Sequence, residues 1–583
     1  MISTILLWAY IFLLSTVSGH FFFRISGMFK NSKSDAPGIA ELSIAGLVFC
    51  GVFLAVYSFF EKIGLAANIV IASFCLLYFL TSAGKILFTL KSAIRSFLQF
   101  PVRIKILAAI YLLLLLLAAQ ALPTIADTGL YHVQNIKWIS SYKVVPGLGN
   151  LQGRFAFNNH SFLLESLFSF SFLRPDFFHL LNSYLLLLLS LTLISLINKY
   201  LAADRWKALL YSGLLLLLPV FYLKAASSPT PDIFALVSVW FIFIIYLERI
   251  CVKPENGFYW VPVLFIAFFT VTVKLSAFPV ALIAIVFLAE HKGRFTGKVL
   301  KLALPALLVF IPYFIRNYII SGYLVYPFPH LDLFKPDWKI PIDYVKEMSS
   351  VISTYAQSGG WEQMPFAQWF PGWFAHLSAG FRLVSCYLVL SPFLLIAILI
   401  FSTKTRSLFP GFMKLSAICV AAVIYWFLTA PNFRFIYAFL LFYLMMNLVI
   451  IIHFIADRFF PSLNMKMAVN KGSDPVLKPA SALVIILSLL FLALINYKGI
   501  DKCVLFPTGF KEVKFSSVEL NNFNVNIPED GTYCWNIPIP ASVIQRHIGV
   551  NDIELRGPDL KYGFGMKIDR TEEMLRLRDY LRH

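Results

Sequence analysis

The sequence predicts an all-α polytopic membrane protein with a small extracytoplasmic domain at its C-terminal end. Three observations carry that prediction. The 583 residues are 59% hydrophobic and 14% charged, with a mean hydropathy of +0.77, whereas soluble domains run near 45–50% apolar and about 25% charged. Apolar windows of about 20 residues, enough to cross roughly 30 Å of hydrocarbon, recur along most of the chain. The windows lack period-2 alternation, so the backbone satisfies its hydrogen bonds in lipid as helices and not as a barrel.

About fourteen spans are expected, near 2–22, 41–60, 65–83, 105–122, 177–198, 208–223, 232–247, 258–273, 276–290, 302–316, 382–402, 413–430, 435–455 and 480–496. The first has no basic leader and no small-residue cleavage site, and is read as a retained helix. In "FFTVTVKLSAFPVALIAIVFLAE", Lys274 leaves almost no loop between two spans.

The net charge of +19 reads as topology and not as nucleic-acid binding, because the cations cluster between spans. One cluster holds Lys85, Lys91, Arg95, Arg103 and Lys105; others hold Lys292, Arg294, Lys298 and Lys301, then Lys404, Arg406 and Lys414. A fourth holds Arg458, Lys466, Lys471 and Lys478. With fourteen spans all four lie on one side, which the positive-inside rule makes cytoplasmic. Both termini then lie outside. Residues 85–101 read as a basic amphipathic helix on the inner surface.

Three large segments fall on the outer side: 123–176, 317–381 and 497–583. This divides the chain into a transmembrane domain, 1–496, and an outer domain, 497–583. The outer domain is polar, with short alternating stretches between Gly, Pro and Asn, and reads as α/β or mostly β, closed by "RTEEMLRLRDYLRH". Cys50, Cys75, Cys251, Cys386 and Cys419 sit in or beside apolar spans and read as small buried residues. Cys503 and Cys534 are the two in the outer domain, and a disulfide between them is expected in an oxidising compartment. It would contribute about 3–4 kcal/mol.

The candidate chemistry lies at outer span ends. Asp127 follows a span in "ADTGLYH", with His132 five residues on. Asp, Thr and Gly also make turns and caps, so a structural reading stands beside a reactive one. The segment "GLGNLQGRFAFNNHSFLLESLFSFSFL" carries Arg154, His160 and Glu165 and reads as a helix lying in the outer interface. "KAASSPTPDIFAL" puts Lys224 and Asp232 at neighbouring span ends, with helix capping the default for Asp232. Lys274 either snorkels or meets an anion. "FIRNYIISGYLVYPFPH" supplies Arg316, Asn317 and Tyr326, and "WFLTAPNFRFIYAFL" supplies Arg434 on a side otherwise poor in cations.

One carboxylate with several cations suits inverting transfer of a sugar from a polyprenyl-phosphate donor. Asp127 would take the acceptor's proton while Lys224, Lys274, Arg316 and Arg434 stabilise the leaving phosphate. His132, Arg154, Asp232, Asn317 and Tyr326 complete the substrate-binding candidates. No nucleotide fingerprint, P-loop or zinc spacing is present, so no cofactor is expected beyond the lipid-linked donor itself.

These motifs resemble the GT-C superfamily of membrane glycosyltransferases, whose first outer loop carries an acidic base just after a span. The likeness to aminoarabinose transferases and protein O-mannosyltransferases is one of architecture. "ADTGLYH", "IRNYIISGYLVYP", "APNFRF" and "CWNIPIP…ELRGPDLKYGF" are similar, over nearly the whole chain, to a family of bacterial membrane proteins defined by a domain of unknown function. The resemblance implies Asp127 as base, Arg316 and Arg434 on the donor phosphate, and a bacterial inner membrane with its chemistry on the periplasmic face. The expected partners are the bilayer, the lipid-linked donor and a glycan, lipid or protein acceptor. Many GT-C enzymes pair acids in the first loop. Here the next acids after Asp127 are Glu165 and Asp176, which disfavours a divalent metal. Two alternatives stay open: a lipid-linked oligosaccharide flippase, expected to show mid-span charges or inverted repeats, and a non-catalytic envelope-assembly subunit. The enzymatic reading requires Asp127, Lys274, Arg316 and Arg434 to converge in space.

Overall fold

The computed structural model describes residues 1–27, 36–174, 178–201, 203–252, 257–291, 294–358, 364–403, 405, 409, 411–460, 505–542 and 553–566. The apolar windows form helices. In chain order these begin with α1 (Ile2–Ile25), α2 (Ile39–Tyr57), α3 (Leu65–Leu98) and α4 (Val102–Ala118). Gly19 and Gly46 let α1 and α2 touch backbone to backbone: a Cβ on either would lie 1.8 Å from a carbonyl oxygen of the other helix. Such close approach is how helices pair in lipid, where apolar burial alone gives no driving force.

The helix α3 overturns one expectation. Its 34 residues take in most of the basic segment 85–101, which is therefore the end of one long helix and not a separate surface helix. The chain between 83 and 100 carries no proline, and the helix stops just before Pro101, where the ring disfavours helical backbone in the residue ahead.

In the first outer segment a π-turn, Thr128–His132, leads into α5 (Val133–Ser141), followed by α6 (Leu148–Leu151) and α7 (Ser161–Phe168). The interfacial helix expected here is instead interior. Every residue of α7 is buried, Glu165 included, because the segment packs between α2 and α5.

Beyond it come α8 (Leu181–Tyr200), α9 (Arg205–Tyr222), α10 (Pro231–Ile245) and α11 (Trp260–Val273). Lys274 is extended, at φ −155° and ψ 120°, and a 3-10 turn, Leu275–Leu282, leads into α12 (Ile283–Glu290). The Trp260 and Phe287 rings lie 5.5 Å apart, so the chain doubles back and Lys274 sits at the tip of a hairpin. The remaining helices are α13 (Phe295–Ser321), α14 (Ile342–Ser358), α15 (Phe366–His376), α16 (Ala379–Phe401), α17 (Phe412–Thr429) and α18 (Tyr437–Phe459). Among the described residues ten helical segments are long and apolar enough to cross a membrane. The helices α4, α11 and the segment Leu275–Glu290 fall short of that length and are not among the ten, and the span expected at 480–496 lies outside the described residues.

The C-terminal region holds two antiparallel pairs, β1 (Phe515–Leu520) with β2 (Phe523–Pro528) and β3 (Ile553–Leu555) with β4 (Phe564–Met566). A two-residue loop joins β1 to β2, with Asn521 at φ 47°, where asparagine is tolerated. These strands rest on the first outer segment. Phe564 N–H donates to the Pro146 carbonyl at 3.0 Å, and Trp535 N–H to that of Gly129 at 2.9 Å. The boundary at 497, the helix at 570–583 and Cys503 lie outside the described residues; Cys534 is buried.

Candidate functional site

Four charged side chains from four distant parts of the sequence meet in one alternating chain. Lys274 Nζ donates to Asp232 Oδ1. Asp232 Oδ2 accepts from Arg434 Nε at 3.2 Å, and Arg434 Nη2 donates to Asp127 Oδ2. One half is more exposed than the other: the side chains of Asp232 and Lys274 are 10% and 17% exposed, those of Asp127 and Arg434 24% and 44%. The Asp127–Arg434 end is therefore the accessible one.

Each member is positioned by its local sequence. Asp127 stands at the mouth of the π-turn and its carboxylate makes no capping bond, which removes the cap reading. π-Turns are rare and occur often at functional sites. Asp232 is not the cap of α10 either. Thr230 caps that helix and Pro231 occupies its first position, which leaves the Asp232 carboxylate free for ion pairing in the first turn. Asn182 fastens the preceding loop through the Ser228 and Thr230 carbonyls at 2.7 and 2.8 Å.

Lys274 occupies the hairpin tip, where the helix break points its stem toward Asp232. Arg434 lies in a 3-10 turn held by Asn432, whose side chain accepts from Arg434 N–H at 3.1 Å. The aromatic segment before α16 braces that turn: Trp373 Nε1 donates to the Pro431 carbonyl at 2.9 Å and its ring stacks over Phe433. Phe435 completes the arrangement, with Lys274 Nζ 4.6 Å and Arg434 Cζ 5.6 Å from its ring centroid.

Burial raises the Asp127 carboxyl, while His132 when protonated and Arg434 throughout lower it, leaving it below its ordinary value. Burial drives His132 itself down to about 4, so at neutral pH it is uncharged and Arg434 keeps Asp127 ionised. Burial opposes charge on Arg434, but Asp232 and Asp127 outweigh it and raise its pKa. Two acids and two bases sum to zero, so an incoming anion must compete with Asp127 for Arg434.

Of the residues singled out from sequence, Asp127, Asp232, Lys274 and Arg434 come together. His132 lies directly behind them, 1% exposed, its ring 4.4 Å from Tyr131 and 5.3 Å from Phe162. Arg154 is near enough for its charge to act on Tyr131, together with those of Asp127, Arg434 and Asp232, and it makes no ion pair among the described residues. Tyr326 is buried, its ring 5.9 Å from Phe157, and it too lies within reach of the Arg154 charge. Lys224 is exposed and joins none of these. Arg316 and Asn317 lie buried in α13, and the Arg316 guanidinium bonds to Asn158 and Ser58 instead of the charged chain. Among the described residues no cluster of His, Cys, Asp and Glu is arranged to hold a metal.

Residues 1–441 match the family described as Domain of unknown function (DUF8201). The chain belongs to this family. No curated protein and no solved structure matches it. In this DUF8201 protein the matched region takes in all four residues of the charged chain, and it ends before the C-terminal region whose Trp535 rests on the π-turn.

Sequence reasoning missed Tyr131 and Phe435. Each sits beside a residue that was singled out, in "GLYH" and "NFRF", but nothing separates a ring that carries a cation from the other aromatics of an interface. The role of Asp232 was missed because a Thr-Pro-Asp start looks the same whether or not its carboxylate has cations to meet.

Proposed function

We propose that this DUF8201 protein is a membrane glycosyltransferase of GT-C type, moving a sugar from a polyprenyl-phosphate donor at the periplasmic face of a bacterial inner membrane. The acceptor would be a growing envelope glycan, a glycolipid or a protein. The observation that carries the reading is the accessible Asp127–Arg434 pair, backed by Asp232 and Lys274.

A donor phosphate has the charge and geometry to draw Arg434 away from Asp127, since arginine forks match phosphate oxygens. Arg154 supplies a second cation beside Tyr131. Loss of Arg434 removes the charge that depresses Asp127, and its carboxylate becomes a stronger base just when donor is present. The acceptor hydroxyl then gives its proton to Asp127 while its oxygen attacks the anomeric carbon. The bond from that carbon to the phosphate oxygen breaks, and its electron pair leaves with the polyprenyl phosphate.

Charges at helix ends and a hairpin tip favour chemistry at the interface over passage through the bilayer, where a flippase would place them mid-span. Binding of farnesyl phosphate to the purified protein, followed by native mass spectrometry, tests the phosphate half of the proposal. Arg434→Gln should weaken it by about ten- to a hundred-fold, the value of a charge-assisted hydrogen bond. Unchanged affinity would remove Arg434 from the donor site.

A further inference from the structure

A second site lies behind the charged chain. Arg316 is 4% exposed, and its guanidinium meets only neutral oxygens: Nε donates to Asn158 Oδ1 at 3.0 Å and Nη1 to Ser58 Oγ at 2.5 Å. Both acceptors are themselves anchored, Asn158 donating to the Tyr313 carbonyl at 3.0 Å and Ser58 to the Ala55 carbonyl at 2.7 Å. Hydrogen bonds of this kind orient a guanidinium without neutralising it. A buried charge normally has a counter-ion, because desolvating it alone is costly. Among the described residues no carboxylate fills that place.

Arg316 lines a cavity with about 20 Å³ of room for a water-sized guest. The same cavity is lined by Asn135 and Trp138, which are 5% and 1% exposed and whose Nδ2 and Nε1 donors have no partner among the described residues. Lys143 adds a second positive charge, and no Asp or Glu contributes to the lining. Two unpartnered donors, two cations and no acid describe an anion's surroundings. The volume accommodates about one water-sized particle.

We propose that this cavity binds one small monovalent anion of about chloride's size, held by Arg316, Asn135 and Trp138. It is not the donor-phosphate site: none of Asp127, Asp232, Lys274 and Arg434 lines it. Phe157 and Phe162, which do line it, touch Tyr131 and His132, so only a layer of rings separates the two. The bound anion would be the counter-ion that fixes Arg316 and, with it, the floor beneath the π-turn.

Thermal unfolding of the full chain in nanodiscs, titrated with sodium chloride against sodium gluconate at constant ionic strength, tests this, because a ligand that binds only the folded state raises its melting temperature saturably. The wild type should show that rise. Trp138→Phe keeps an aromatic ring, though a smaller one, but deletes the Nε1 donor and should shift the midpoint to about five-fold higher chloride, the value of one hydrogen bond. Arg316→Gln should abolish the response, whereas Asp127→Asn should retain it, which separates this site from the charged chain. No chloride response in the wild type overturns the proposal. So does a response to inorganic phosphate without one to chloride, or one that survives unchanged in both cavity variants.

Discussion

Asp127 and Glu165 lie 38 positions apart in one outer segment and answer burial in opposite ways. Asp127 has Arg434, and its pKa falls below the ordinary value. Its contribution to stability is therefore present above the unfolded value and is lost as pH falls through the folded one. Glu165 is 2% exposed, with Oε2 unpartnered among the described residues, and burial pushes its pKa from 4.5 up to about 8. The sign is reversed: the folded protein holds the proton more tightly, so stability is fully present below 4.5 and declines as pH rises to about 8. Thermal unfolding should show Glu165→Gln gaining on the wild type between pH 5 and pH 8. A wild-type curve that rises over that window, with the variant parallel to it, would mean that Glu165 is ionised in the folded state. The buried His132 acts in the other direction, costing stability as pH falls below its ordinary value, so only the comparison with the variant isolates Glu165. At this scale sequence made Asp127, Lys274 and Arg434 visible as charges beside apolar runs. It did not show that Arg316, five residues before the end of α13, turns away from the charged chain toward a cavity of its own. That depends on which face of α13 meets Ser58 and Asn158, and one chain's pattern does not encode it.

The element that carries Asp127 is held from above by the C-terminal region. The Trp535 backbone N–H donates to the Gly129 carbonyl of the π-turn, and Gln134 on α5 donates to the Trp535 and Ile537 carbonyls at 3.0 and 2.9 Å. Gly129 is what permits the contact, since a Cβ there would come within 2.3 Å of the indole. Gly129→Ala should therefore destabilise the protein by about 1–3 kcal/mol, the usual cost of overpacking. It should also expose residues 505–542 to limited proteolysis; a wild-type melting temperature and digestion pattern would show that the contact is slack. The "ADTGLYH" stretch announced a turn after a span, but not a π-turn. Nor did it reveal that the glycine serves a tryptophan some 400 residues later, because the pairing exists only once both segments are folded. The apolar runs were legible for the opposite reason: their length and composition are local, and α1, α2, α8 and α10 fall within a few residues of their expected places.

For the whole molecule, the alternating chain joins helix ends that belong to four separate passages of the sequence, so the bundle must be assembled before the site exists. That is why the apolar, helical character of the chain was readable while the site could only be posed as a demand for convergence. Three of the four residues in that demand meet, and Asp232 takes the place of Arg316. The central claim is that Asp127 accepts the acceptor's proton in sugar transfer. The most direct measurement is release of labelled sugar from a panel of polyprenyl-phosphate-linked sugars by the purified protein in proteoliposomes, comparing wild type with Asp127→Asn. The wild type should turn over and the variant should lose about 10²–10⁴-fold in rate, with farnesyl phosphate binding retained. Wild-type turnover that survives in Asp127→Asn would contradict it.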